Sequence, residues 1–444
     1  MTTELEQRLR DVLREDAARA HLVNPDRPAD PHTRLVAVAQ QSASLPRRLV
    51  AVAAAIVLVA LAGVAVILNR GGTSEEPSSS DPTRVFTEIP PGSTVDLGTA
   101  PIAERAVPAL VWTGTEMIVW GGMDRRGATL ADGAAFDLAT GTWRVIAPAP
   151  IVGREWPQLA WTGTEMIIWG GAYSDGAIVD GAYVRTGLTD GAAYNPATNT
   201  WRLLPPAPVD STVYGSAVWT GEEVILIGNG PDGDRSLQQG DTVPRQVAAY
   251  NPAADQWRRL ADVPGIPWGE PIWNGETLVA SIGSSLVRYD PGSDTWQTIS
   301  AGVRYLSMVA VTDTDGAVRS ILALPDQTGA PVAVLDPAGN QIATLAGHPG
   351  DRAHFGDYIE VDAGVWLGQE ALFWISGAEW DFSTDPPAEA WLLNPETGTW
   401  RPLDANVLPP VIVLRPVTTA GIMIGWGGDA STTGIAFRPP TPTG

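Results

Sequence analysis

The sequence predicts an all-β chain of repeated four-stranded units. Two recurring patterns and the composition carry this expectation. The chain has 444 residues, with 47 Gly and 38 Pro. Both residues disfavour helix interiors, so a mainly helical chain of this composition is excluded. Hydrophobic residues make up 44%, which is enough for a large core.

The first pattern is an apolar run, a tight turn, a second apolar run and glycine. It reads Leu110-Val-Trp-Thr-Gly-Thr-Glu-Met-Ile-Val-Trp-Gly-Gly122 and recurs as Leu159-Ala-Trp-Thr-Gly-Thr-Glu-Met-Ile-Ile-Trp-Gly-Gly171. Weaker copies occupy 219–228, 273–283 and 366–377, and a last one spans 422–428. The second pattern sets an aromatic or apolar residue seven positions before a Trp, with a turn between. It appears as Phe136 and Trp143, Tyr194 and Trp201, Tyr250 and Trp257, and Tyr289 and Trp296. Leu335 with Ile342 and Leu393 with Trp400 keep the spacing. Asn-Pro and Asp-Pro pairs open most of these turns, for example Asn195-Pro196 and Asp336-Pro337. Each unit therefore supplies four short strands joined by turns short enough for antiparallel neighbours.

These features, the Gly-Gly pair and the Tyr/Phe-x6-Trp spacing, resemble the kelch repeat of β-propellers. The resemblance covers 84–438. It is strongest in the first two repeats and weakest over 301–347, which lacks both Gly-Gly and Trp. Successive outer-strand positions are 58, 56, 39, 46 and 58 residues apart. Six outer strands can be counted, and a seventh set of strands ends near the C-terminus without its fourth. The similarity of Phe86-Thr-Glu-Ile-Pro-Pro to Trp201-Arg-Leu-Leu-Pro-Pro places the missing strand at 84–90. The expected fold is thus a seven-bladed kelch-type β-propeller over 84–444, closed by its own N-terminal end so that no sheet edge is left open.

The segment before the repeats is different. Residues 49–68 carry no charged or strongly polar side chain. A helix of this length rises about 30 Å, the thickness of a bilayer's hydrocarbon core. Arg47 and Arg48 precede it and acidic residues follow, which predicts a cytoplasmic N-terminus. The long leader and the missing cleavage signal argue against a removed signal peptide. The expected organisation is a cytoplasmic tail over 1–48, a transmembrane anchor over 49–69 in contact with the lipid bilayer, a linker over 70–83 and an extracytoplasmic propeller. Within the tail, Leu5, Leu9, Val12 and Leu13 share one helical face, so 3–20 forms an amphipathic helix that could meet a cytoplasmic partner.

Charge and composition narrow the chemistry. Lys and Cys are absent, so all 28 basic residues are Arg. Without Cys there are no disulfides, thiolate metal sites or cysteine nucleophiles. Residues 71–444 hold 19 Arg and 43 acidic residues, a net charge of −24. A surface this acidic repels phosphate, which excludes a general nucleic-acid binder.

Binding is expected on the propeller face that carries the variable loops between second and third strands, such as 173–190. Counting back from the inner-strand Trp places Arg105, Arg154 and Arg304 in one register and Trp156, Tyr214 and Trp268 in another. Together they are the candidate ligand-binding residues, because Arg binds anions and aromatics stack on sugars. The competing expectation is ordinary packing at strand starts. Glu116, Glu165, Glu223 and Glu370 repeat too regularly for catalysis and read as structural partners, as do Arg144, Arg202, Arg258 and Arg401. His348-x2-Asp351-x2-His354 lies among glycines and a proline that prevent a ligating helix, and Asp313-x-Asp315-Gly316 reads as a hairpin turn.

Kelch kinship implies either a binding module or an enzyme. The copper radical oxidases of galactose-oxidase type use a Tyr cross-linked to Cys, which this chain cannot form. No catalytic or metal-binding residue and no cofactor is expected. The leading expectation is a membrane-anchored propeller that binds protein or envelope glycan. The alternative is a carbohydrate-active enzyme of sialic acid mutarotase-like or lyase type.

Overall fold

The structure is a computed structural model that describes residues 89–179, 182–210, 215–228, 244–265, 267–349, 359–377, 389–403, 417–419, 421–426 and 432–441. The predicted tail helix at 3–20, the anchor at 49–69 and the linker at 70–83 lie outside the described residues. Among the described residues no helix is long and apolar enough to cross a membrane.

Among the described residues, seven four-stranded antiparallel sheets follow one another. Blade 1 is built from β2 (Ala109–Trp112), β3 (Glu116–Trp120), β4 (Gly133–Asp137) and β5 (Thr142–Val145). Blade 2 runs through Gln158–Trp161, Met166–Trp169, Gly191–Asn195 and Thr200–Leu203, and blade 3 through Ser216–Trp219, Val224–Ile227, Arg245–Asn251 and Gln256–Val263. Blade 4 follows with Pro267–Trp273, Leu278–Ile282, Ser285–Asp290 and Thr295–Ala301. The degenerate unit is blade 5: Tyr305–Thr312, Val318–Pro325, Val332–Leu335 and Gln341–Leu345. Blade 6 has Ile359–Trp366, Ala371–Gly377, Glu389–Asn394 and Thr399–Pro402.

Blade 7 takes Val417–Thr419, Ile422–Trp426 and Thr433–Arg438 from the C-terminal end and its outer strand, β1 (Ser93–Thr99), from the start of the domain. Closure from the N-terminal side is therefore as expected, but the pairing strand is Ser93–Thr99; of the expected 84–90, residues 84–88 lie outside the described residues and 89–90 form no strand. The register pairs Thr94 with Phe437 and Ser93 with Arg438. Pro90 and Pro91 lack the N–H groups that a ladder uses, whereas Ser93, Thr94 and Val95 supply them. Ile89 is instead a buried contact in the core beneath.

The first strand of each blade lies beside the first strand of the next, and Val417–Thr419 of blade 7 lies beside Ala109–Trp112 of blade 1. The seven first strands thus close a ring. Side chains alternate along each middle strand and so serve two neighbours. Met117 and Val119 pack with Ile424 and Trp426 of blade 7. Ile118 and Trp120, one residue out of phase, pack with Ile168 and Tyr194 of blade 2. The same division repeats around the ring, giving one apolar cluster at each interface between blades.

Polar side chains tie the blades further. The indole N–H of Trp201 donates to the Ala147 carbonyl at 2.8 Å, so an outer strand is held to the preceding link. Trp257 and Trp400 donate in the same way to Pro205 and Ala346, whereas Trp143 and Trp296 donate to Leu97 and Ala261 in the outer strand of the preceding blade. The repeated Glu and Arg residues are scaffold, as the repetition suggested. Arg144 donates to both oxygens of Glu116 at 2.8 and 2.7 Å and, with its third nitrogen, to the Tyr194 hydroxyl of blade 2 at 3.0 Å. Arg202 repeats this with Glu165 and with Tyr250 of blade 3. Glu223 pairs with Arg258, and Glu370 with Arg401.

Candidate functional site

The Arg register is part of the scaffold. Arg105 and Arg154 are fully buried. Arg105 donates to the carbonyls of Ala103, Gly121 and Asp132 and to the Asp132 carboxylate at 2.9 Å. Arg154 makes the matching set in blade 2, to Val152, Gly170 and Asp190, with the Asp190 carboxylate at 3.0 Å. Each guanidinium therefore joins the link entering its blade to the end of the second strand and the start of the third. Burial lowers the pKa of both, and the adjacent aspartates oppose that shift. Arg304 pairs with Asp326 at 2.6 Å. None of the three extends a free guanidinium towards a ligand. The reason is local: the Gly-Gly turns expose carbonyls that a buried cation can collect. Gly121 and Gly122 have φ of 69° and 84°. A Cβ on Gly122 would lie 2.4 Å from the Ala106 carbonyl oxygen, so only glycine permits the approach.

The aromatic register divides. Tyr214 lies outside the described residues. Trp268 is the second residue of the inner strand of blade 4, opposite Ser281. Trp156 is half-buried on the link into blade 2, where its φ is 48°, a left-handed conformation that non-glycine residues seldom adopt.

Trp156 meets Arg185, a residue that the sequence patterns did not single out. The loop between the second and third strands of blade 2 rises as a hairpin. Ala172–Tyr173 pairs with Thr186–Gly187, and Ile178–Val179 pairs with Ala182–Tyr183. Arg185 returns from this hairpin and ion-pairs with Glu155, which is fully buried. Its guanidinium sits 4.8 Å from the Trp156 ring centre and 5.7 Å from that of Tyr183. Such cation–π contacts add to the ion pair. Burial raises the pKa of Glu155, and Arg185 counters the shift.

Blade 1 supports the hairpin from beneath. The Thr129 N–H donates to the Ser174 carbonyl at 2.9 Å, and Ala128 bridges to Asp175. The Tyr183 ring covers Gly127, where a Cβ would fall 2.2 Å from the ring. On the outside, Ile178 and Val179 are 60% and 59% exposed, with Val184 and Tyr173 also exposed. The result is an apolar ridge, braced by two blades, with a clamped cation at its base. Trp156 and the length of the 173–190 loop marked this place in the sequence, but the pairing did not show, because Glu155 and Arg185 are 30 residues apart and form no local motif.

Two other motifs resolve as structure. Asp313 accepts from the N–H groups of Asp315 and Ala317, closing the hairpin turn of blade 5. His348 is buried on the link into blade 6, edge-on to Trp391 and Trp400 with ring centres 5.0 and 5.3 Å away. Burial depresses its pKa to about 4. His354, Asp351 and Asp357 lie outside the described residues. Among the described residues no three His, Cys, Asp or Glu side chains gather as a metal site.

No family model matches the chain. Over 155 residues, 34% of its length, it is 27% identical to Kelch-like protein 35 of Mus musculus; the match spans a quarter of that relative's length. A solved fungal alcohol oxidase of the AA5 family in complex with copper superposes with a TM-score of 0.51 at 18% identity, covering 78% of this chain and 76% of the oxidase. A structure described as YjhT gives a TM-score of 0.43 at 11% identity, over 69% of this chain and 99% of the other. The ring of seven four-stranded blades, the repeats that build it and the likeness to the fungal oxidase give the chain a β-propeller fold of kelch type.

Proposed function

We propose that the chain is a membrane-anchored binding module whose propeller stands outside the cell and engages a protein through the blade 2 hairpin. The observation that carries the reading is the exposure of Tyr173, Ile178, Val179 and Val184 together on a hairpin held by a second blade. Apolar side chains grouped on a braced projection mark an interaction site more often than a solvated loop. Anchoring rests on the 49–69 sequence and its flanking charge. The carbohydrate-active alternative has less support, since Arg105 and Arg154 are committed to carbonyls and Glu155 to Arg185.

The test places a photo-crosslinking residue at Ile178 and, separately, at Val145, which is 54% exposed on an outer strand. In intact cells, a discrete protein adduct from position 178 and none from 145 is expected. Equal labelling, or none at 178, would remove the hairpin as the contact surface. A C-terminal alkaline phosphatase fusion that is inactive would remove the extracytoplasmic placement.

A further inference from the structure

The environment of Arg185 identifies what the hairpin could read. Its Nε is held by the buried Glu155, and its plane lies against Trp156 and Tyr183. Among the described residues neither terminal nitrogen has a protein acceptor, and the side chain is 31% exposed. An Arg fixed at Nε and flanked by rings has lost most of its rotamer freedom before any ligand arrives. Its two free nitrogens form a planar fork that matches the two oxygens of a carboxylate. We propose that this fork is a carboxylate subsite for a protein segment that sets an Asp, Glu or C-terminal carboxylate beside apolar side chains. The proposal rests on the hairpin being the contact surface, and it adds the chemistry of the partner.

Two observations favour a peptide over a sugar acid. The guanidinium lies against the Trp156 and Tyr183 rings where a pyranose would stack. Exposed Ile178, Val179 and Val184 flank the site and suit aliphatic side chains. The nearby Asp124 and Asp175 close their own turns: Asp124 accepts from the N–H groups of Arg126 and Ala128, and Asp175 from that of Ala177. Glu155 opposes an incoming anion, but its charge is matched by Arg185 itself.

The experiment pans a phage-displayed random dodecapeptide library on the full chain in detergent and measures the selected peptides by fluorescence anisotropy. Selected peptides should carry a carboxylate next to apolar residues. Changing that carboxylate to its amide should weaken binding at least tenfold in the wild type and little in Arg185→Gln. Arg185→Lys keeps the charge without the fork and should be intermediate, with an unchanged melting curve confirming the fold. Peptides that lose binding on Ile178→Asp with Val179→Asp but ignore Arg185→Gln would overturn the subsite and leave the hairpin reading intact. Peptides indifferent to both changes, or no selection at all, would overturn both. Arg185-dependent binding of polygalacturonate in preference to the peptides would overturn the peptide class.

Discussion

Blade 2 and blade 5 have the same four-stranded plan and very different sequences. Blade 2 carries Gly-Gly, the Tyr194 and Trp201 pair, the buried Arg154 and the Glu165–Arg202 clamp. Blade 5 has no Trp at the matching position. Ile342 stands there, 62% exposed, and the stitch from outer strand to neighbouring link is lost. Yet its strands pair in the same order, and Leu322, Leu324 and Val332 pack against Phe373 of blade 6. Strand alternation and burial between neighbours are therefore enough to make a blade. The signature residues add ties between blades.

The comparison can be broken first at the buried cation. Arg154→Met removes a guanidinium that collects three carbonyls and a carboxylate. Chemical denaturation should show a loss of about 3–5 kcal/mol, against about 1–2 kcal/mol for Arg304→Met at the half-buried pair of blade 5. Equal losses would make the two registers equivalent.

A second test uses acid. His348 joins blade 5 to blade 6, and its folded pKa, about 4, lies below the ordinary value of 6.5. The unfolded chain therefore binds the extra proton between these values, and stability falls as pH drops from about 6.5 to 4. The full effect is about 3 kcal/mol. Melting at pH 4.5 and pH 7 should differ more in the wild type than in His348→Gln; an identical difference would mean that His348 is not the responsive group.

Trp201→Leu keeps apolar bulk but removes the N–H donated to Ala147. A cost of about 2 kcal/mol is expected from lost packing and the unpaired carbonyl. The smallest effect belongs to the reverse change. Ile342→Trp restores the signature to blade 5 and should raise stability by less than about 1 kcal/mol, because the rest of the stitch was never built there. A gain comparable to the Trp201 loss would show that one indole suffices.

The architecture was legible in the sequence because the period-two apolar pattern and the turn residues are local signals that recur. Strand pairing, seven blades and the structural role of the repeated Glu and Arg residues followed from that recurrence. The closing strand, Ser93–Thr99, begins after Pro90 and Pro91, whose missing N–H groups a pattern match at Ile89 does not reveal. The candidate site was less legible. One register in successive blades made Arg105 and Arg154 look like a rim, and nothing in their spacing showed that carbonyls of the Gly-Gly turn would surround them.

Sequence alone determined the repeated strands, the acidity of the propeller, the absence of thiol chemistry and the apolar run at 49–68. Each of these depends on residues near one another in the chain or on simple counts. Tertiary structure decided that Arg154 is buried while Arg185 is presented, and that Glu155, Trp156, Tyr183 and Arg185 meet. Two arginines in one blade have the same intrinsic chemistry. Their difference comes from which carbonyls, rings and carboxylates the fold brings within reach, and those partners arrive from loops distant in sequence.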